Sequence, residues 1–110
     1  MASSFLIVDE DRNFREALAI ALRLEGCRVA SADTAAAGLA ALAGDRYDLC
    51  VVDLHLAGAE ALLADLLGGP QPVLLTGPHA DLLRLAARRF PGAQVMEKPF
   101  QASELIRFSA

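Results

Sequence analysis

Four short apolar runs in this sequence are each followed by polar side chains that could share one chemical site. The runs cover residues 5–8, 49–52, 73–75 and 95–96. The polar residues that follow them are Asp9, Glu10, Asp53, Thr76 and Lys98. Carboxylates are the hard oxygen ligands that Mg²⁺ prefers, and an ammonium and a hydroxyl can bind phosphoryl oxygens. If the runs are parallel strands, their carboxyl ends meet at one edge of a sheet, where ligand sites form.

The elements that would position these residues alternate between strand and helix patterns. Residues 49–52 are apolar throughout, as expected of a central strand buried on both faces. Apolar residues recur at helical spacing from Phe14 to Leu22, with Asp11 as a candidate N-cap and Gly26 as the stop. Five such βα units, joined by right-handed crossovers, predict an α/β fold: a doubly wound, five-stranded parallel sheet with helices on both faces.

The later helices have start signals and apolar faces of their own. Asp33 or Thr34 is the expected cap of the second helix. The predicted inner face of that helix consists of Ala36, Leu39, Ala40 and Ala43. Ser103 is the expected cap of a short final helix.

Length and composition limit the classes of protein to which the chain can belong. Its 110 residues predict one domain, residues 1–110, with a single core. A net charge of −4 argues against direct nucleic-acid binding, which needs a basic face. The sequence has neither a secretory signal nor an apolar stretch of about 20 residues, so we expect a cytoplasmic protein with no membrane contact. Cys27 and Cys50 fit no redox or zinc spacing, and Cys50 is expected to be a buried thiol.

The order of the polar motifs resembles the receiver domain of two-component response regulators, over nearly the whole chain. The motifs that carry the resemblance are Val8-Asp9-Glu10-Asp11, Val52-Asp53-Leu54-His55, Leu75-Thr76-Gly77 and Lys98-Pro99-Phe100. Each motif alone is weak, because apolar runs that end in an acid are common. All four in order are specific. The resemblance implies a flavodoxin-like sheet with strand order 2-1-3-4-5.

The resemblance also implies a role for each residue. Asp53 would accept a phosphoryl group from a histidine kinase or a phosphotransfer protein, with Thr76 and Lys98 binding the group. Mg²⁺ would be held by Glu10, Asp53 and the main-chain carbonyl of His55, with Asp9 acting through a water. The chemistry agrees, because a carboxylate can be a nucleophile and phosphoryl transfer needs positioning and charge neutralisation. The domain would be a phosphoacceptor rather than an enzyme.

The sequence departs from the family pattern at four places. Ala57 and Ala61 replace a proline and a glycine after the acceptor, which predicts a differently shaped loop. The stretch between Asp53 and Thr76 is short by about two helical turns, which predicts a stubby third helix. Val95 replaces the usual aromatic switch residue. The final helix is short, which leaves at most a weak homodimer and could mean that the chain is part of a longer protein.

These departures leave other interpretations open. A phosphorylation-independent docking module would keep the fold without the switch. A magnesium-dependent phosphatase would use an aspartate nucleophile, but His55 stands where its second aspartate is expected. Taken singly, the acids 9–11 would serve equally well as a helix-capping turn.

The sequence also leaves open how the signal is passed on and how a phosphoryl donor reaches the pocket. Signalling output would pass to a downstream protein or to an output domain outside the chain, through the face formed by the fourth and fifth helices. Gly77 would leave the pocket open to a donor.

Overall fold

The computed structural model describes residues 3–109, which form a parallel sheet covered by helices on both faces. The strands are β1 (Ser4–Val8), β2 (Arg28–Ala32), β3 (Leu49–Asp53), β4 (Val73–Gly77) and β5 (Gln94–Glu97). The helices are α1 (Arg12–Leu24), α2 (Ala35–Gly44), α3 (Ala59–Leu67), α4 (Ala80–Arg89) and α5 (Ala102–Ser109). The strand order is β2-β1-β3-β4-β5, and every pair is parallel. The predicted fold class and strand order are therefore confirmed.

The sheet divides the hydrophobic core into two clusters. Strand side chains such as Val8 and Val52 pack with α2, α3 and α4 on one face. Ile7 and Val51, one position earlier in each strand, pack with α1 and α5 on the other face. This alternation follows from the two-residue repeat of strand side chains. All five residues of β3 are buried, as predicted for a central strand.

The start of α1 follows the predicted local chemistry. The Asp11 side chain accepts a hydrogen bond from the Phe14 main-chain N–H at 3.2 Å, so Asp11 is the N-cap. Gly26, at φ 86°, lies just after the helix in a left-handed conformation that favours glycine. The first helix is thus fixed only a few residues from the end of β1.

Two of the finer helix predictions were wrong. In α2, Leu39 packs against the core as predicted, but Ala36, Ala40 and Ala43 are exposed, and the buried residue is Gly38. An alanine-rich helix has little contrast between its faces, so the lack of a side chain at Gly38 decides which face approaches the sheet. Ser103 lies inside α5 rather than at its cap, because the helix already begins at Ala102.

Three further predictions of local structure are confirmed. Thr34 is the N-cap of α2, accepting from the Ala37 main-chain N–H at 3.0 Å. Cys50 is fully buried, and burial raises the pKa of its thiol to about 12, as expected of an unreactive core thiol. The third and fifth helices are short, with 9 and 8 residues. Within residues 3–109, no helix is long and apolar enough to cross a bilayer.

Candidate functional site

The carboxyl edge of the sheet brings the predicted polar residues together. Asp53 is the last residue of β3 and is paired in register with Thr76 of β4. Asp9 directly follows β1, the other neighbour of β3, and Lys98 directly follows β5. Asp9, Asp53 and Thr76 are all buried. Residues from four separate strands therefore meet at one edge, because parallel strands end on the same side.

Asp9 is almost completely buried, with 1% exposure, and its carboxylate is held on both oxygens. Oδ1 accepts a hydrogen bond from the Asp11 main-chain N–H at 2.9 Å. Oδ2 accepts one from Lys98 Nζ at 2.7 Å. A buried carboxylate needs such partners, since an unpaired one would lose its hydration without compensation.

Asp53 lies on the other side of the same ammonium. Lys98 Nζ is 3.6 Å from Asp53 Oδ1, close enough for an ion pair. Burial raises the pKa of the Asp53 carboxyl, and the charge of Asp9 raises it further. Lys98 and the main-chain N–H of His55 act in the opposite direction on that pKa. The carboxylate is therefore partly compensated and has room for a further positive partner.

Thr76 has a buried hydroxyl whose hydrogen-bonding capacity is unused among residues 3–109. Its side chain is fully buried, and Oγ1 has no hydrogen-bond partner within residues 3–109. A buried hydroxyl without a partner costs about 1–3 kcal/mol, so such a group calls for a functional explanation. Thr76 is the register partner of Asp53, so the two residues end neighbouring strands at the same edge of the sheet.

The donor atoms at this edge fit a hard divalent cation. Two buried carboxylates, Asp9 and Asp53, repel each other, and Glu10 lies exposed on the loop after Asp9. Within residues 3–109, no three His, Cys, Asp or Glu residues are grouped closely enough to hold a metal ion by themselves. The predicted set includes three such acids, Asp9, Glu10 and Asp53, which are therefore not grouped this closely. In the prediction only Glu10, Asp53 and the His55 carbonyl bind the ion directly, and Asp9 acts through a water. Mg²⁺ characteristically keeps several waters, so this set stays a prediction with suitable donors.

Two histidines line the rim of the site. The rings of His55 and His79 meet edge to face with centroids 6.3 Å apart, and both residues are exposed. His55 follows β3 and His79 precedes α4, so the two loops after neighbouring strands bring them together. Their separation of 24 positions in the sequence gave no signal of this contact.

Two residues of α1 complete the surroundings of the acids, and sequence reasoning gave neither of them a role in the site. Arg15 Nη1 donates to the main-chain carbonyl of Asp9 at 2.7 Å. The ring of Phe14 lies under the Lys98 ammonium, which is 4.2 Å from the ring centroid. The helical spacing predicts Phe14 only as part of the apolar face of α1. Its position in the first turn after the acidic loop is the signal that could have placed Phe14 near the site.

The structure shows the conformation of the loop after Asp53 and the packing of Val95, two places where the sequence departs from the family pattern, and the surroundings of Gly77. The loop after Asp53 turns through hydrogen bonds to the Asp53 and Leu56 carbonyls, and Gly58 at φ 79° begins α3. Val95 is partly buried and packs against the cluster on the α2–α4 face. A Cβ added at Gly77 would lie 3.7 Å from both Leu54 and Leu83. These are ordinary van der Waals distances, and the expected opening toward a donor stays a prediction.

Comparison with known proteins agrees with this geometry. The family model for the response regulator receiver domain matches residues 5–108. The chain is 34% identical to the response regulator protein FleR of Pseudomonas aeruginosa, over 96% of this chain and 24% of that protein. It is 31% identical to the C4-dicarboxylate transport transcriptional regulatory protein DctD of Rhizobium meliloti, with the same two coverages. The chain thus spans about a quarter of the length of these curated relatives.

Solved structures extend the likeness to the fold. The chemotaxis response regulator CheY4 of Vibrio cholerae superposes with a TM-score of 0.84. The superposition covers 98% of this chain and 96% of the other. Sequence identity is only 18%, so this likeness shows the shared arrangement of strands and helices alone.

Proposed function

Because this chain belongs to the family of response regulator receiver domains of two-component signalling, we propose that Asp53 accepts a phosphoryl group from a phosphohistidine. The donor would be a histidine kinase or a phosphotransfer protein. The observation that supports the proposal most directly is the convergence of three groups. The Asp53 carboxylate lies 3.6 Å from the Lys98 ammonium. Its register partner Thr76 has a buried hydroxyl without a partner among residues 3–109.

The proposed transfer uses these groups in distinct ways. A carboxylate oxygen of Asp53 attacks phosphorus in line with the histidine nitrogen. The new P–O bond forms as the P–N bond breaks, and the histidine nitrogen keeps the electron pair of the broken bond. Lys98 neutralises a phosphoryl oxygen, and Thr76 donates its hydroxyl proton in a hydrogen bond to another. The position of Lys98 3.6 Å from Asp53 and the register of Thr76 beside Asp53 support these roles.

The metal would add charge neutralisation at the same edge. Glu10, Asp53 and the His55 carbonyl would hold Mg²⁺, with Asp9 bound through a water. When bound, Mg²⁺ offsets the negative charge that two carboxylates and a phosphoryl group bring together. Lys98 alone carries a single positive charge, so the ion would supply the remainder.

A small acyl phosphate offers a direct test. Mg²⁺-loaded protein incubated with acetyl phosphate should gain one acid-labile phosphoryl group by mass spectrometry. Asp53→Asn should gain none, whereas the exposed Asp65→Asn control in α3 should behave as the wild type. A wild type that stays unmodified over hours would contradict the proposal. We propose that the domain is a phosphoacceptor, which receives the group on its own Asp53, rather than an enzyme acting on free substrates.

A phosphorylation-independent docking module is the second candidate. Val95 favours it, because an aliphatic side chain cannot perform the inward rotation that an aromatic residue at this position would make. The two candidates differ in how a downstream protein or output domain would respond. Equal affinity of that partner for the phosphorylated and unphosphorylated forms would favour the docking module, since a ligand without differential affinity shifts no equilibrium. The expected cytoplasmic location stays a prediction.

A further inference from the structure

Lys98 is the only lysine among the 110 residues of the sequence. Its side chain is 16% exposed, and its ammonium has three neighbours. Asp9 Oδ2 lies at 2.7 Å, Asp53 Oδ1 at 3.6 Å and the centroid of the Phe14 ring at 4.2 Å. The Lys98 ammonium is therefore bounded by two carboxylates and an aromatic ring.

We propose that Phe14 is a positioning residue for Lys98: its ring holds the ammonium within reach of Asp53. The inference rests on the proposed phosphoacceptor function and adds a residue to it. Phe14 does not touch the reacting atoms, and it acts through Lys98.

The distance and the setting both favour an attractive contact. A cation within about 6 Å of a ring centroid is attracted by the negative face of the ring, and the attraction grows when water is excluded. The ammonium at 4.2 Å is well inside that range, and its side chain is mostly buried. Lysine otherwise has a long flexible stem whose charged end tends to reach for water.

The ring is itself held in place. Phe100 meets it edge to face with centroids 5.5 Å apart and planes at 81°, the favoured arrangement for an aromatic pair. The main-chain N–H of Phe14 is bound by the Asp11 cap at 3.2 Å. The next residue, Arg15, is bound to the Asp9 carbonyl. The first turn of α1 is thus fixed to the end of β1, and these contacts hold the Phe14 ring in place.

An aromatic ring suits this position better than a third carboxylate would. It attracts the ammonium without accepting a strong hydrogen bond or carrying a full charge. Lys98 has three N–H donors, and its stem can turn about its own bonds. The ring therefore limits where the ammonium can go while leaving it free to exchange a carboxylate for a phosphoryl oxygen.

The contact can be observed without metal or phosphate. In protein labelled with ¹³C-lysine, the single Lys98 side chain gives unambiguous ε-methylene signals. We expect ring-current displacement of these signals upfield in the wild type. Phe14→Leu should abolish the displacement and Phe14→Tyr should retain it. Phe108→Leu is the matched control, because it removes another half-buried ring from the same cluster, on α5, away from Lys98.

The functional consequence is measured as the rate of phosphorylation by acetyl phosphate with Mg²⁺. Phe14→Leu should slow the reaction by about two- to fivefold, and Phe14→Tyr should stay within about twofold of the wild type. Phe108→Leu should react at the wild-type rate. Thermal unfolding of each variant checks that it is folded, and Phe14→Met replaces Phe14→Leu if that variant is not.

The outcomes separate the two proposals. Undisplaced Lys98 signals in the wild type would overturn the inference whatever the variants do. A Phe14→Leu protein that loses the displacement but reacts at the full rate would overturn the positioning role and leave the phosphoacceptor function intact. A wild type that is not phosphorylated would overturn the proposed function, and the positioning role with it.

Discussion

Lys98 donates a 2.7 Å hydrogen bond from its ammonium to a carboxylate oxygen of Asp9, which lies 89 positions earlier in the chain. The two residues follow β5 and β1, with β3 and β4 between those strands in the sheet. The bond therefore crosses above the end of β3, where Asp53 lies. In this arrangement Asp9 and Asp53 share one cation, so a change in either acid should alter the electrostatic environment of the other.

The first prediction concerns the effect of Asp9 on Asp53. The charge of Asp9 is, after burial, the second cause that raises the pKa of Asp53. Asp9→Asn should therefore lower the pKa of Asp53, and it also frees Lys98 to approach Asp53. The ¹³C shift of the Asp53 carboxyl, followed through a pH titration without metal, measures this. Asp65→Asn is the control and should leave the titration unchanged; an unmoved Asp53 titration in Asp9→Asn would contradict the shared-cation arrangement.

The second prediction concerns stability and pH. Because burial and Asp9 raise the pKa of Asp53 above its ordinary 3.8, the folded protein holds this proton more tightly than the unfolded chain. The contribution of Asp53 to the free energy of unfolding therefore falls as pH rises from 3.8 through the raised pKa, and the loss persists at higher pH. In metal-free buffer at neutral pH, Asp53→Asn should be more stable than the wild type in urea denaturation.

The same measurement has two internal checks. The advantage of Asp53→Asn should shrink as the pH falls through the raised pKa of Asp53, and it should be lost below 3.8, where the wild-type carboxyl is protonated in both states. Mg²⁺ should stabilise the wild type more than Asp53→Asn, because the variant lacks a charged ligand. A variant less stable than the wild type throughout the pH range would show that Asp53 is better compensated than its burial indicates.

The third prediction uses the buried hydroxyl of Thr76. Thr76→Val keeps the shape of the side chain and removes the unpartnered polar atom, so the unphosphorylated protein should gain about 1 kcal/mol in free energy of unfolding. The same variant should lose part of the stabilisation that phosphorylation gives, because no hydroxyl binds the phosphoryl group. Thr76→Ser should keep the phosphoryl effect. If Thr76→Val is destabilised instead, the hydroxyl has a partner in the folded protein, such as an ordered water.

The fourth prediction concerns the packing of α2 beside the site. A Cβ at Gly38 would lie 3.0 Å from Val8 Cγ2, and Val8 is fully buried at the end of β1, next to Asp9. Overpacking should outweigh the helix propensity of alanine, so Gly38→Ala should lose about 1 kcal/mol in urea denaturation. Gly44→Ala, in the same helix with nothing within 4 Å, should not be destabilised. Adding Val8→Ala should relieve the loss in a double-mutant cycle, and additive losses would show that the two sites are not in contact.

Much of the site was predictable because its residues follow strong local signals. Asp9, Asp53 and Thr76 each come directly after an apolar run, and Lys98 follows one with only Glu97 between. Parallel strands must end at a common edge. The central strand was predictable because burial on both faces removes polar residues from it. The Asp11 cap was predictable because a helix N-cap needs a short oxygen-bearing side chain. The same local chemistry could not orient α2, where every residue is alanine, leucine or glycine.

By itself, the sequence determined which segments are strands and helices and which polar residues stand at the strand ends, because hydrophobic periodicity and capping act over a few neighbouring residues. Only the tertiary structure decided the contacts between distant segments: the Phe14 ring under Lys98, the His55–His79 pair and the approach of Gly38 to Val8. Those contacts depend on how each crossover returns the chain to the sheet and on side-chain directions at the meeting point. No local pattern encodes the distance between two side chains that many intervening residues bring together.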